Sequence, residues 1–193
     1  TLSEGQPIID LFNLSNKRFT NKLTIYYSEQ ISLTVTGIGK LNCVISVVQT
    51  FYELKQERNN IWINVGLAGH KILQIGQVFG IRKIIDKSSQ RVFFPFNGKF
   101  DLPTQECITL DSIQNEYCSK LHDMECSGFF QAASKFSTNE LIQTIKIVSD
   151  NERSSIDFND KKAIYRIISK HNKLIKKLCE YLKNLRKIVF SEY

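Results

Sequence analysis

The sequence predicts an α/β fold with a mixed sheet. Apolar, strand-like runs alternate along the chain with segments whose apolar residues recur at helical spacing. Two β-branched and aromatic runs, residues 23–27 and 31–36, flank a short polar break and predict a hairpin, which would give the sheet antiparallel neighbours. The chain has 193 residues, 42% of them hydrophobic and 23% charged, so it excludes a disordered or low-complexity protein.

The remaining elements follow from local patterns in chain order. The opening segment, SEGQPIIDLFNL, predicts a short helix with Pro7 in its first turn. Residues 86–105 are the most loop-like stretch. The other predicted elements are a helix over 41–54, strands over 61–66, 77–85 and 107–113, a helix over 127–136, a strand within 141–151 and a long amphipathic basic helix over 159–188.

Charge is concentrated at one end of the chain. The formal net charge is +7, and residues 161–193 contain ten Lys or Arg against two Glu, which leaves residues 1–160 close to neutral. A basic segment raises nucleic acid as a partner. These lysines alternate with apolar residues at helical spacing, however, which favours a helix with one solvated face. We therefore do not expect a nucleic-acid partner, and keep it as an alternative for this helix only.

The sequence predicts neither a targeting segment nor a metal site. No apolar run approaches the roughly 20 residues of a membrane helix, and the first residues lack the regions of a secretory signal, so we expect a cytoplasmic protein with no membrane partner. The five cysteines are odd in number, widely spread and without a CxxC pair, which favours reduced thiols. The three histidines have no metal-binding spacing, so we expect no metal and no cofactor.

Three motifs follow predicted strands, where α/β sheets bind ligands. GIGK at 37–40 precedes a helix as a phosphate-binding loop does, but it lacks the GxxxxGK[ST] spacing, so a tight turn that needs glycines for positive φ is the simpler interpretation. GLAG at 66–69 indicates either a close backbone approach to a ligand or turn chemistry. SDN at 149–151 ends an apolar strand.

Two carboxylates at element boundaries are candidates for acid–base chemistry. Glu125 precedes the helix over 127–136, where acidic residues are often merely favoured by the helix dipole. Asp150 ends its strand either as an N-cap of the next segment or, when buried, as a general acid. His70 is a further candidate base or ligand. These residues alone leave the alternatives open.

Four motifs in order resemble the nucleoside phosphorylase/nucleosidase superfamily, and within it bacterial nucleosidases such as methylthioadenosine/S-adenosylhomocysteine nucleosidase and futalosine hydrolase. The similarity runs from about Glu4 to Asn151. It implies a three-layer α/β/α sandwich with a mixed central sheet, forming one domain over residues 1–193 that lacks the family's first strand. The motifs are VTGIGKLNCVIS (35–46), INVGLAGHKILQIGQVF (63–79), HDMECSGFFQAA (122–133) and IKIVSDN (145–151).

The resemblance also implies roles for individual residues. Asp150 would protonate or hydrogen-bond N7 of a purine as the glycosidic bond breaks, and Glu125, after Met124, would bind the ribose hydroxyls. Glu4 resembles the acidic residue that activates the attacking water. Cleavage passes through an oxocarbenium-like sugar, so the departing base needs an acid and the sugar gains from a nearby anion. Further substrate contacts are implied at Ala68, Gly69, Ile113, Gln114 and Ser149.

Two departures from the family pattern bear on the acceptor. Phosphorylases of the superfamily hold phosphate with an arginine and a serine around the strand-end glycine, where this chain has Asn64 and Leu67. Because an arginine fork is the natural phosphate binder, water is favoured as acceptor. We therefore expect an N-ribosyl hydrolase acting on a purine or purine-like nucleoside. The alternatives are a phosphorylase and an inactive nucleoside-binding protein.

Three expectations remain. Phe93, Phe94 and Phe96, around Pro95, either close over the nucleoside or belong to the core. Leu67 and His70 together indicate an altered substrate. Relatives are usually homodimers, so we expect a homodimer.

Overall fold

The computed structural model describes residues 1–20, 23–54, 59–113 and 117–190. Within these ranges, the strands that occur in chain order are β1 (Asn16–Thr20), β2 (Leu23–Tyr27), β3 (Ser32–Val35), β4 (Trp62–Gly69), β5 (Val78–Asp86), β6 (Val92–Phe93), β7 (Thr104–Thr109), β8 (Leu121–Asp123) and β9 (Ile142–Asp150). Strands β4 to β9 form a central sheet in the order β6-β5-β7-β8-β4-β9. The short strands β6 and β8 were not predicted.

The central sheet is mixed, but not for the predicted reason. The hairpin over residues 23–36 is confirmed, yet β2 and β3 pair with β1 in a separate antiparallel sheet. Antiparallel pairing in the central sheet comes instead from β4 with β8 and from β5 with β6 and β9. The pairs β4–β9, β5–β7 and β7–β8 are parallel.

Helices cover both faces of the central sheet, which confirms the three-layer α/β/α sandwich. On one face, α2 and α3 pack around Cys43, Val47 and Phe129. On the other, α1, α4 and α5 pack against strand residues such as Ile145 and Ile147. The helix bounds are α1 (Leu2–Phe12), α2 (Lys40–Glu53), α3 (Cys126–Ala133), α4 (Lys161–Ser169) and α5 (Asn172–Phe190).

Two helices differ from the prediction. The first helix begins at Leu2, so Pro7 lies in its second turn rather than its first. The predicted basic helix is interrupted at Lys170 and His171, and the His171 ring is hydrogen-bonded through Nε2 to the carbonyl oxygen of Gly76 at 2.8 Å. The basic segment therefore forms two helices, α4 and α5, rather than one.

The amphipathic character of this basic segment is confirmed. Ile164, Ile168, Ile175 and Leu182 are buried against the sheet, whereas most lysines of α4 and α5 face solvent. None of the helices in the described ranges is both long enough and apolar enough to cross a bilayer.

Candidate functional site

The candidate site lies at the carboxyl ends of β4 and β9, which run in parallel with Gly69 opposite Asp150. A cavity of about 2060 Å³ opens over these strand ends and reaches the space between β3 and β4. Small-molecule pockets usually measure roughly 300–1,000 Å³, so one small ligand fills only part of it. The predicted site residues that line it are Glu4, Ala68, Gly69, Ile113, Met124, Glu125, Ser149 and Asp150.

Asp150 is held by protein donors on both carboxylate oxygens. The Ser149 hydroxyl donates to Oδ1, and the Tyr117 hydroxyl donates to Oδ2 at 2.6 Å. The main-chain N–H of His70 donates to the carbonyl oxygen of Asp150 at 3.0 Å. A register shift between Ala68 and Gly69 marks a β-bulge, a feature that commonly re-aims a side chain beside a site. We call Gly69, Tyr117, Ser149 and Asp150 the Asp150 corner.

The glycines of GLAG make room for functional side chains. Both lie within β4, and neither has a positive φ, so turn chemistry does not explain them. A methyl group at Gly69 would lie 2.6 Å from Oδ2 of Asp150 and 2.9 Å from Cε1 of Tyr117, both too close to be tolerated. A methyl group at Gly66 would lie 3.1 Å from Nζ of Lys146. The turn interpretation is therefore wrong, and the glycines instead allow side chains to lie against the backbone of β4.

The GIGK motif is a tight turn that also serves the site. Gly37 and Gly39 have φ values of 79° and 99°, which confirms the need for glycine. The Gly39 N–H donates to Oε1 of Glu125 at 2.8 Å. The turn therefore orients the Glu125 carboxylate towards the cavity that it lines.

Lys40 anchors this turn to the sheet. Its Nζ lies 3.0 Å from Oδ2 of Asp86 and 3.0 Å from Oδ1 of Asp111. Asp86 is buried at the end of β5 and also accepts from the Ser127 hydroxyl at 2.9 Å. Burial opposes ionisation of Asp86, but the Ser89 N–H and the Lys40 ammonium outweigh it and lower its pKa. The cluster thus joins the start of α2 to β5 and α3.

A second cluster of polar side-chain atoms surrounds Gly66. A methyl group there would lie 3.7 Å from Oδ1 of Asn64 and 3.8 Å from Oε1 of Glu4, in addition to its contact with Lys146. Oε1 of Glu4 also accepts from the Leu67 N–H at 3.3 Å. An ammonium and two acceptor oxygens therefore border one small space over β4, an arrangement that suits a water molecule.

Lys146 and Asp123 form a buried ion pair beneath this space. Their Nζ and Oδ2 atoms are 2.7 Å apart, and the two side chains are 1% and 0% exposed. Burial alone would lower the pKa of Lys146, but Asp123 raises it above its ordinary value. Oδ2 of Asp123 also accepts from the N–H groups of Cys126 at 2.7 Å and Glu125 at 3.2 Å. The ion pair therefore fixes the backbone that carries Glu125.

We call Glu4, Gly66, Asp123, Glu125 and Lys146 the Lys146 corner. Sequence reasoning missed Lys146, Asp123 and Tyr117. For Lys146 a signal existed: a single lysine interrupts the apolar run of β9, IQTIKIVSD, at a position buried on both sides. A lysine there needs a buried partner.

The five cysteines are free. Cys107 and Cys126 lie close to Asp123, with the potential ligand atoms of the three side chains all within 4.8 Å of one another. Burial raises the pKa of the Cys107 thiol well above its ordinary range and that of Cys43 to about 12. The Cys43 and Cys107 thiols therefore stay protonated, and the positive charge beside Asp123 is the ammonium of Lys146.

His70 has a structural role. The ring is buried, and its Nδ1 accepts from the N–H groups of Ile72 and Leu73, both at 3.1 Å. Burial lowers its pKa, so the ring stays neutral. His70 shapes the turn after β4 and does not line the cavity.

One predicted contact lies at the cavity rim, and another lies outside the described residues. Ile113 lines the cavity but is 86% exposed, so it marks the edge of the opening. Gln114 lies outside the described residues.

The phenylalanines around Pro95 do not line the cavity of this chain. Phe93 packs on Phe130 with ring centroids 5.7 Å apart, whereas Phe94 is 65% exposed. The core interpretation therefore holds for Phe93, and closure over a ligand by this cluster gains no support.

Comparison with known proteins places the fold. No family model matches the sequence, and no curated protein matches it significantly. Solved structures do match. The 5′-methylthioadenosine/S-adenosylhomocysteine nucleosidase of Campylobacter jejuni has a TM-score of 0.77 at 13% identity, covering 94% of this chain and 96% of that one. The chain has the fold of these nucleosidases.

Two further structures agree. The 5′-methylthioadenosine nucleosidase of Arabidopsis thaliana has a TM-score of 0.74 at 15% identity, with 93% of this chain and 91% of that chain covered. A Weissella paramesenteroides protein assigned as a methylthioadenosine nucleosidase has a TM-score of 0.68 at 16% identity, with 91% of this chain and 92% of that chain covered. The superfamily resemblance seen in the four motifs is thereby shown at the level of the fold.

Proposed function

We propose that the chain is an N-ribosyl hydrolase that releases the free base from a purine or purine-like nucleoside. One observation carries the proposal: within this nucleosidase fold, Asp150, Glu125 and Glu4, from distant parts of the sequence, line the same cavity. The three carboxylates differ in their surroundings, as the reaction requires.

Asp150 is proposed as the general acid. Two hydroxyl donors hold its carboxylate, which can therefore release a proton to the departing base and stay stabilised as an anion. Glu125 is proposed to bind the ribose hydroxyls with Oε2, while Oε1 stays on Gly39. Its negative charge also favours the cationic sugar of the transition state.

Glu4 is proposed to activate water in the space beside Gly66, where Lys146 and Asn64 supply the other polar contacts. Hydrolysis is favoured over phosphorolysis because Lys146, the ammonium beside this space, is already paired with Asp123. Asn64 and Leu67 offer no second positive charge there. A phosphorylase remains the alternative.

The proposal is tested by incubating the purified protein with a panel of purine nucleosides, including 5′-modified ones, with and without inorganic phosphate. Chromatography should show free base and free sugar appearing at equal rates in both conditions. Release that strictly needs phosphate, with a sugar phosphate as product, would establish a phosphorylase. Binding by calorimetry without any base release would establish an inactive nucleoside-binding protein.

We also propose that the chain forms a homodimer. Ile38, Leu41 and Ile45 are 59%, 71% and 45% exposed along one side of the GIGK turn and α2, an apolar surface that a second copy would cover. Sedimentation should give twice the mass of the chain, and Leu41→Glu should shift the protein to monomer. A monomer for the unsubstituted protein at micromolar concentration would contradict this proposal.

A further inference from the structure

Tyr117 makes an unassigned contact with the proposed acid. Its hydroxyl donates to Oδ2 of Asp150 at 2.6 Å, the distance of a strong hydrogen bond to a carboxylate. The hydrogen bond to Asp150, and then burial, raise the pKa of Tyr117 to about 12. The phenol therefore stays protonated and acts as a donor throughout the neutral range.

Packing aims this hydroxyl at the carboxylate. The Tyr117 ring stacks on His122, with centroids 6.1 Å apart and planes 18° from parallel. Gly69 also lies beside the ring, where any side chain would collide with Tyr117 and Asp150 together. The absence of a side chain at Gly69 therefore leaves room for the hydrogen bond between Tyr117 and Asp150.

Of the described titratable groups near Asp150, the two histidines are neutral. Burial is the largest cause that lowers the pKa of His122, whose Nε2 lies 3.0 Å from Sγ of Cys118. The buried His70 ring is also neutral, and its backbone N–H contacts the Asp150 carbonyl oxygen. On the adjoining loop, Lys71 and Glu152 pair with each other at 3.6 Å. Tyr117 is therefore the main polar neighbour of Oδ2 among the described residues.

We propose that Tyr117 is a positioning residue that holds the carboxyl group of Asp150 for proton transfer, a role that rests on the proposed function. Its hydroxyl stabilises the carboxylate that forms when Asp150 gives its proton to the base, and holds Oδ2 in one orientation. The proton passes from Asp150 to the base nitrogen, and the Tyr117 proton stays on its own oxygen. The pair thus favours release of the proton during bond cleavage.

The test is Tyr117→Phe, which removes the hydroxyl and keeps the stacked ring. Without this donor the Asp150 carboxyl group is no longer held in one orientation, so kcat should fall about threefold to tenfold while KM stays nearly unchanged.

The matched control is Tyr165→Phe, which removes a Tyr–Asp hydrogen bond of 3.0 Å to Asp10 outside the cavity. It should leave both kcat and KM unchanged. A Tyr117→Phe variant whose kcat is unchanged, or whose KM rises as much as its kcat falls, would mean that Tyr117 has only a packing role, and would overturn the inference.

A second readout does not depend on activity. The carbon-13 NMR signal of the Asp150 side-chain carboxyl carbon, assigned by its loss in Asp150→Asn, is compared between the variants at neutral pH. Its chemical shift should change in Tyr117→Phe, because one oxygen loses its hydrogen-bond donor, and should stay the same in Tyr165→Phe. If it changes but no nucleoside is cleaved by any variant, the proposed function fails while the Tyr117–Asp150 contact stands. An unchanged signal in Tyr117→Phe overturns the contact itself.

Discussion

The Asp150 corner and the Lys146 corner lie beside Gly69 and Gly66 of β4, but the groups that surround their carboxylates differ in charge. Neutral hydroxyls from Ser149 and Tyr117 surround Asp150. In the other corner, a buried ammonium lies among several carboxylates. Neutral donors let a carboxylic acid exchange its proton, whereas a fixed positive charge favours ionised carboxylates. Under the proposed function, Asp150 beside Gly69 acts as the acid, and the carboxylates of the Lys146 corner serve the sugar and the water.

The largest effect is expected from Asp150→Asn, which leaves the Asp150 corner without an ionisable carboxylate. Turnover should fall about 10²- to 10⁴-fold, the usual contribution of a general acid. Steady-state base release measures it, and circular dichroism checks that the fold is retained. Asp101→Asn, at an exposed position outside the cavity, is the matched control and should behave as the unsubstituted protein. Equal turnover in the two variants would contradict the proposed role of Asp150 as the acid.

The Lys146 corner is tested by Lys146→Met, which keeps the length of the side chain but leaves Asp123 buried without its counter-charge. The free energy of unfolding should fall by about 3–5 kcal/mol, as when one partner of a buried pair is removed. Urea unfolding at pH 7 measures it.

The double variant Asp123→Asn/Lys146→Met checks the cause. The amide can still accept from the Cys126 N–H, and no isolated charge remains. It should be more stable than Lys146→Met alone. A loss of less than about 1 kcal/mol in the single variant would mean that the pair behaves like an exposed one.

A pair of glycine substitutions compares the two corners within β4. Gly69→Ala forces a methyl group to 2.6 Å from Oδ2 of Asp150, so the acid must move and activity should drop about 10²-fold. Gly66→Ala places a methyl group 3.1 Å from Nζ of the ion-paired Lys146, which is a milder overlap, so the loss should be smaller. Measured kcat/KM values that rank the variants in the reverse order would show that the Lys146 corner is the more rigid one.

Much of the fold was predictable because its signals are local. Strand β9 is an apolar run, helix α2 has apolar residues at helical spacing, and Gly37 and Gly39 indicate a turn. The three-residue strand β8 has too few residues for a pattern, since only its neighbours define it. The sheet that receives the β2–β3 hairpin is likewise decided by tertiary packing rather than by the hairpin sequence.

The candidate site divides in the same way. Asp150, Glu125 and Glu4 were identified because they belong to short motifs, and the cavity brings them together. Tyr117 contacts Asp150 across 33 positions of sequence, and Lys146 pairs with Asp123 across β9 and β8, so no local pattern reports either contact. The fold determines which residues contact a functional residue. The sequence therefore identified the carboxylates but not the residues that hydrogen-bond to them or pair with them.

The smallest effect is expected from Asp86→Asn, which loosens the Lys40 anchor behind Glu125 and so touches the Lys146 corner indirectly. The pKa of Asp86 is lowered from an ordinary value of 3.8, so its ion pair stabilises the fold above about pH 4, and that stabilisation disappears as the pH falls. In urea unfolding at pH 7 the variant should be less stable by about 1–3 kcal/mol, the range for hydrogen bonds to charged groups. Because the variant lacks this carboxylate, the difference between the two proteins should shrink from pH 4 towards pH 2. Two unfolding curves that stay equally far apart over that range would show that the charge of Asp86 does not stabilise the turn that holds Glu125.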